Sequence, residues 1–216
     1  GLVGPPFVLD ARAGAAAMNT FRVFFAGAVS TAVFAFFVLA YLPHRQLSAV
    51  APPDGLRAYA DSELAGRRIY ASMGCVYCHS QQVRDPLYGT DQARGWGRAS
   101  YPDDYRYDRP HLLGTMRTGP DLMNIAVRQP SRSWHYAHLY QPRALVPGSV
   151  MPSFRFLFTL KDRGEMNDEV VELPEGVAPP GKVVVATDDA RHLVDYLLSL
   201  NRNFPRSGPS PGAAGH

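Results

Sequence analysis

The sequence predicts a mainly α protein, with a single N-terminal transmembrane helix followed by one small helical domain that carries a β-hairpin insertion. Three observations lead there. Val23 to Leu42 is a run of twenty residues without a charge; two helical patterns flank a middle marked by glycine and proline; and both cysteines of the chain fall in Gly74-Cys75-Val76-Tyr77-Cys78-His79, directly after the first pattern. At 216 residues, one domain with an appendage is the expected organisation. A hydrophobic content of 46% with a mean hydropathy of −0.17 belongs to a folded chain, not a disordered one.

At about 1.5 Å per residue, VFFAGAVSTAVFAFFVLAYL matches the roughly 30 Å of a bilayer core, so residues 21–42 are expected to cross a membrane once. Residues 1–20 then form a short cytoplasmic N-terminus, within which Met18 can serve as a start. A cleaved signal peptide is the rival, because Ala49-Val50-Ala51 resembles a cleavage site, but the apolar run exceeds the roughly 7–15 residues of a signal-peptide core. Flanking charge does not orient the helix: Arg12 and Arg22 precede it, His44 and Arg45 follow it. Gly27, Thr31 and Ala35 recur every four residues, a small-residue stripe that suits close helix packing in lipid and equally fits ordinary composition.

Pro43, Pro52 and Pro53 mark residues 43–55 as a linker, and residues 56–204 as the domain. Leu64, Ala65, Ile69 and Tyr70 give Leu56–Ser72 a helical pattern that runs into the cysteine pair. Thr187 is a good N-cap, with Asp188 and Asp189 in the first turn of a helix carrying Leu193, Val194, Tyr196, Leu197 and Leu200. Residues 168–187, DEVVELPEGVAPPGKVVVAT, hold two β-branched runs around a Pro/Gly turn and predict a hairpin, either a partner-binding flap or, the reading preferred because nothing in it carries chemistry, a passive cover on the domain. The tail at 205–216 is low-complexity and expected to be flexible.

Cys75 and Cys78 fit a disulfide, half of a zinc site, or covalent attachment of haem. His79 separates these, because C-x-x-C-H is the c-type attachment pattern: each thiol adds across a vinyl group, and the imidazole becomes the proximal iron ligand. Zinc needs two further ligands, and a thioredoxin-like pair wants an α/β context. With one haem c as cofactor, the extramembrane bulk belongs on the periplasmic side of a bacterial cytoplasmic membrane, since c-type attachment takes place outside it. The chain has 22 basic against 19 acidic residues, and all but Lys161 and Lys182 of the basic ones are arginines, whose forks suit haem propionates and buried ion pairs. They are scattered and form no groove-binding motif, so nucleic acid is not an expected partner.

The sixth iron ligand decides between electron transfer and ligand chemistry. His111, His135, His138 and His192 are candidates. Met151 is best placed, in the proline-flanked run Pro147-Gly148-Ser149-Val150-Met151-Pro152, where a stiff loop presents a thioether. His135 and His138 lie three apart on an expected helix, where packing explains them more simply, and Met116 and Met123 are read as core. In Arg117-Thr118-Gly119-Pro120-Asp121-Leu122, the Pro120 carbonyl is a candidate acceptor for the second N–H of His79, and Arg117 a candidate partner for a propionate. A plain Gly-Pro turn is the alternative.

Taken together, Gly66-Arg67-Arg68-Ile69-Tyr70, GCVYCHSQQVR, Tyr88-Gly89, RTGPDL, Trp134 with His138-Leu139, Pro142-Arg143 and Val146-Pro147 through Met151-Pro152 resemble the membrane-anchored monohaem cytochrome c subunit, the second subunit, of cbb3-type cytochrome c oxidases. The resemblance spans about Gly66 to Phe154. It implies a class I-like cytochrome c domain with haem c at Cys75 and Cys78 and axial ligands His79 and Met151. It also implies partners: a large haem-copper subunit, other cytochrome subunits, a donor cytochrome or copper protein, and membrane lipid. No catalytic centre is expected in this chain alone. His111–Met116 and the segment 162–186 depart from the family pattern. Other readings of the same haem chemistry are the cytochrome subunit of a nitric oxide reductase, a free-standing membrane-tethered electron shuttle, and a haem sensor.

Overall fold

The computed structural model describes the backbone of residues 11–205 and the side chains of residues 19–205. Residues 1–10 of the expected N-terminus, and the expected tail beyond Pro205, lie outside the described residues. The structure is mostly helical, with 44% helix and 5% strand among the described residues, so the fold is mainly α as expected. The chain divides into two compact units, Gly1–Val50 and Ala51–His216.

In the first unit, helix α1 (Ala11–Phe36) runs into a π-helical turn (Phe37–Tyr41) and then helix α2 (Leu42–Ala49). The stretch Asn19–Ala49, 31 residues, is long and apolar enough to cross a membrane. The helix therefore continues through Pro43, where the sequence places a linker. Proline lacks an N–H and its ring clashes with the carbonyl four residues back. The wider π turn just ahead absorbs that misfit: the Leu42 N–H bonds Phe37 five residues back. The Thr31 hydroxyl donates to the Gly27 carbonyl at 2.9 Å, so the polar atom of the small-residue stripe is satisfied within the helix.

The second unit is built on helices α3 (Asp61–Ser72) and α7 (Asp188–Ser199). Between them lie the short helices α4 (Ile125–Arg128) and α6 (Pro142–Leu145), with α5 (Arg132–Tyr140) separating those two. Glu63 begins α3 by accepting from the Ala60 N–H at 2.7 Å, and Gly66, Arg67 and Tyr70 follow on the buried face. Thr187 caps α7, accepting from Ala190 N while donating to the Leu157 carbonyl at 2.7 Å. Ala190, Leu193, Val194 and Leu197 then form its buried stripe. The two helices interlock through Tyr70 and Tyr196, packed edge to face with ring centres 5.5 Å apart. Tyr136, Leu157, Phe158 and Val184 extend this core, and Val83, Trp96 and Met123 form a second cluster.

The expected β-hairpin is present as one antiparallel pair, with one strand placed differently. Strand β2 (Val183–Ala186) pairs with β1 (Phe158–Lys161), in the register Phe158 to Ala186 and Lys161 to Val183. The run at 168–173, read as the first strand, instead lies along the other edge of β2, with a single bridge from Val170 to Val185 and a bond from Val171 N to Val184 O of 2.8 Å. Both edges of β2 are therefore used, and each neighbour contributes to the core, Phe158 from one side and Val171 from the other.

Candidate functional site

Helix α3 ends at Gly74, whose left-handed backbone (φ 73°) turns the chain into a 3-10 turn over Cys75–Tyr77. The amides of Cys78 and His79 both return to the Cys75 carbonyl, at 3.1 and 2.9 Å, so the two thiols and the imidazole issue from one tight turn. Both cysteines are free, Cys75 half-buried and Cys78 exposed. Burial, with the neighbouring Cys78 adding, pushes the Cys75 thiol up to about 11, opposite to the depressed thiol of a redox-active pair. Among the described residues no three His, Cys, Asp or Glu side chains cluster as a metal site, so the pair lacks the further ligands zinc needs.

The RTGPDL loop lies directly on this turn. Gly119 N bonds the Cys78 carbonyl at 2.9 Å, and Leu122 N bonds the Ser80 carbonyl at 2.8 Å. His79 Nδ1 then meets the Pro120 carbonyl at 2.8 Å. A carbonyl only accepts, so the proton is on Nδ1 and the Nε2 lone pair is left free. Burial holds the His79 pKa below its ordinary value against the raising effects of Pro120 and Asp121. Gly119, not singled out from sequence, makes the approach possible: a Cβ there would stand 2.3 Å from His79 Cε1.

Asp121 and Arg117 clamp the loop from beneath. The fully buried Asp121 carboxylate accepts from Ser80 Oγ at 2.6 Å, Gln82 N at 2.8 Å and Met123 N at 2.8 Å. Arg117 donates from Nε to Ser80 Oγ (2.8 Å), from Nη1 to Asp91 Oδ1 (2.5 Å) and from Nη2 to the Gln82 carbonyl (2.6 Å). Each of its three nitrogens thus makes a bond within the protein.

Met151 is half-buried and packs against the main core, as do Cys75, Val76, Leu112 and Leu145. Ser149 Oγ accepts from Met151 N at 3.2 Å and Ser153 Oγ donates to Gln141 Oε1 at 2.6 Å, so the proline-flanked loop is pinned on both sides of Met151. Helix α5 holds the two histidines three apart. His135 is buried, with Nε2 on the Gln129 carbonyl at 2.8 Å, and His138 stacks on Trp134 with ring centres 4.5 Å apart. His111 packs edge-on against Tyr105, and His192 lies in α7. Met123 is core as expected, but Met116 is 59% exposed: in the extended loop its neighbour Arg117 takes the inward position.

A family model described as cytochrome C oxidase, mono-heme subunit/FixO matches residues 16–178. The matched span includes the apolar helix from residue 16, the cysteine turn, the RTGPDL loop and Met151, and it ends before β2 and α7. No curated protein matches the chain.

Proposed function

Because this chain belongs to the family of mono-haem subunits of cytochrome c oxidase, we propose that its second unit holds one haem c covalently and passes electrons towards the oxygen-reducing subunit of a cbb3-type oxidase. The observation that carries the reading is the His79–Pro120 bond beside two free thiols at C-x-x-C spacing. This donor set fits the group: two thiols for thioethers, an imidazole whose Nδ1 is committed so that Nε2 is a free lone pair, and a half-buried thioether at Met151. Bound haem would supply a one-electron carrier whose potential Met/His ligation raises, suited to electrons on their way to a strong oxidant.

The residues of the chain do the positioning. Cys75 and Cys78 anchor, the Pro120 carbonyl orients His79, Gly119 lets the loop seat against the ring, and Ser149 fixes the Met151 loop. The long apolar helix serves as the anchor, the second unit is assigned to the periplasmic side, and a large haem-copper subunit is the partner.

The test is to purify this chain from native membranes in mild detergent through a tag and record the pyridine haemochrome spectrum. Haem b in fixed ratio with haem c, together with copper, is the expected result. Haem b without copper points to a nitric oxide reductase, and haem c alone to a tethered shuttle; either overturns the oxidase assignment.

A further inference from the structure

Met151 sits in a loop that closes on itself. Phe154 N reaches the Leu139 carbonyl at 2.8 Å and Ser153 Oγ the Gln141 side chain at 2.6 Å, so the chain between Gln141 and Phe154 leaves the core and returns to the same place. Leu145, Met151 and Phe154 pack against the core, while Val146, Val150 and, just past the closure, Phe156 stay exposed. Val150 is 68% exposed beside Met151, and Phe156, at 65%, rests its ring on Phe154 with centres 5.9 Å apart. Single apolar residues on a surface are ordinary, but three carried by one short loop are not scattered.

Charge marks the same loop. From Gln141 to Leu160 the chain carries two arginines, Arg143 and Arg155, and no carboxylate. Both are exposed and neither makes an ion pair among the described residues; Arg155 is laid instead over the Tyr140 ring, 5.1 Å from its centre, which steadies the guanidinium. Acidic residues begin only beyond this stretch, where Asp162 pairs with Lys182 and Asp168 with Lys161.

A partner that complements this face brings an apolar spot ringed by carboxylates. Its stay is short: a permanent subunit interface is large and depleted of charge at its centre, whereas a few apolar residues with a charged rim suit the small, brief encounters of electron-transfer proteins.

We propose that this loop is the docking surface for a soluble, acidic one-electron donor, received on Val146, Val150 and Phe156 and steered by Arg143 and Arg155. The inference rests on the haem c reading above and adds to it a point of electron entry beside Met151. One electron leaves the donor's reduced centre and enters the ferric haem: the donor is oxidised by one, the haem reduced by one, and no bond is made and no proton moved.

The test follows haem reduction by stopped flow in the full chain with its haem attached, in mild detergent. The probes are two reduced blue-copper proteins, the acidic plastocyanin and the basic stellacyanin. The rate with plastocyanin is expected to fall as salt is added and to exceed that with stellacyanin at low salt. Arg143→Gln combined with Arg155→Gln should slow plastocyanin about tenfold at low salt and flatten the salt dependence. Phe156→Ser should slow it at high salt as well, and Arg163→Gln, in the acidic turn, should change nothing. A plastocyanin rate that rises with salt, or one that the double variant leaves unchanged, overturns the proposal. The wild-type salt dependence decides the sign even where a variant fails to accumulate. In isolated native membranes, a cysteine introduced by Val150→Cys should react with a maleimide as fast as in the solubilised chain. Protection there would show a neighbouring subunit already seated on the loop, and would overturn the assignment to a soluble donor. Wild-type protein without covalent haem would instead defeat the haem c reading itself.

Discussion

A Cβ placed on Gly66 would stand 1.8 Å from the His192 carbonyl oxygen, so α3 and α7 meet backbone to backbone where they cross. The next obstacle is Tyr196 Cβ, at 2.8 Å. Neither is the far end of a flexible side chain, so Gly66→Ala must push the helices apart and loosen the Tyr70–Tyr196 contact. Overpacking of this kind costs about 3 kcal/mol. Thermal unfolding should show a drop of that order, and a variant as stable as wild type would mean the helices do not cross this closely.

Arg67, one residue on, is the buried cation that ties α3 to the loop at 108–110. Its Nε reaches Asp108 Oδ1 at 3.2 Å, Nη1 the Arg109 carbonyl at 3.2 Å, and Nη2 the Pro110 carbonyl. Removing one partner of a buried pair costs about 3–5 kcal/mol, because the other charge is stranded. Arg67→Met should therefore destabilise far more than Lys182→Met, whose partner Asp162 is exposed. Chemical denaturation midpoints of the two variants decide the point.

Local signals in the sequence announced the elements, and tertiary contacts decided the rest. Helix α7 was legible because Thr187, two aspartates and a 3.6-residue stripe all speak within a dozen positions. So was the cysteine turn, whose chemistry is contiguous. The full pairing of β2 was not: 168–173 lies along one edge of it, and Phe158–Lys161, more than twenty positions earlier, supplies the longer ladder on the other. Pro43 looks like a helix end until a π turn absorbs it. Gly119 reads as part of a Gly-Pro turn, because nothing local reveals that His79, forty positions earlier, occupies the space its side chain would need.

Gly119→Ala would place a methyl 2.3 Å from His79 Cε1 and 2.7 Å from Nδ1. The ring must swing, and its bond to the Pro120 carbonyl is lost or bent. A lost hydrogen bond of this type costs about 1 kcal/mol in stability. The larger effect falls on the orientation of the iron ligand, so electronic absorption and the midpoint potential of the haem-loaded variant should both change. Unchanged spectra would mean that the loop retreats instead of the ring.

Met151→Ala tests the other side of the site. With the thioether gone, the low-spin spectrum expected of Met/His ligation should give way to a high-spin one that takes up external ligands. A His138→Ala variant should leave the low-spin spectrum intact. The reverse pattern would move the sixth ligand to α5.

His135 makes the folded unit sensitive to acid in a defined window. The ring is 3% exposed, and Nε2 is committed to the Gln129 carbonyl. Burial, seconded by the nearby charges of His138 and Arg132, pushes its pKa from an ordinary 6.5 down to about 4. The folded form therefore refuses a proton that the unfolded chain accepts. Stability from this residue is fully present above pH 6.5, falls as the pH drops from there towards 4, and levels off below. At about 1.4 kcal/mol per pKa unit, the loss across the window is about 3 kcal/mol. His135→Gln keeps an N–H donor for the Gln129 carbonyl and removes the titration. Its denaturation midpoint should fall less steeply between pH 7 and pH 4 than that of the wild type. Equal slopes for the two proteins would show that the imidazole is not held neutral in the fold.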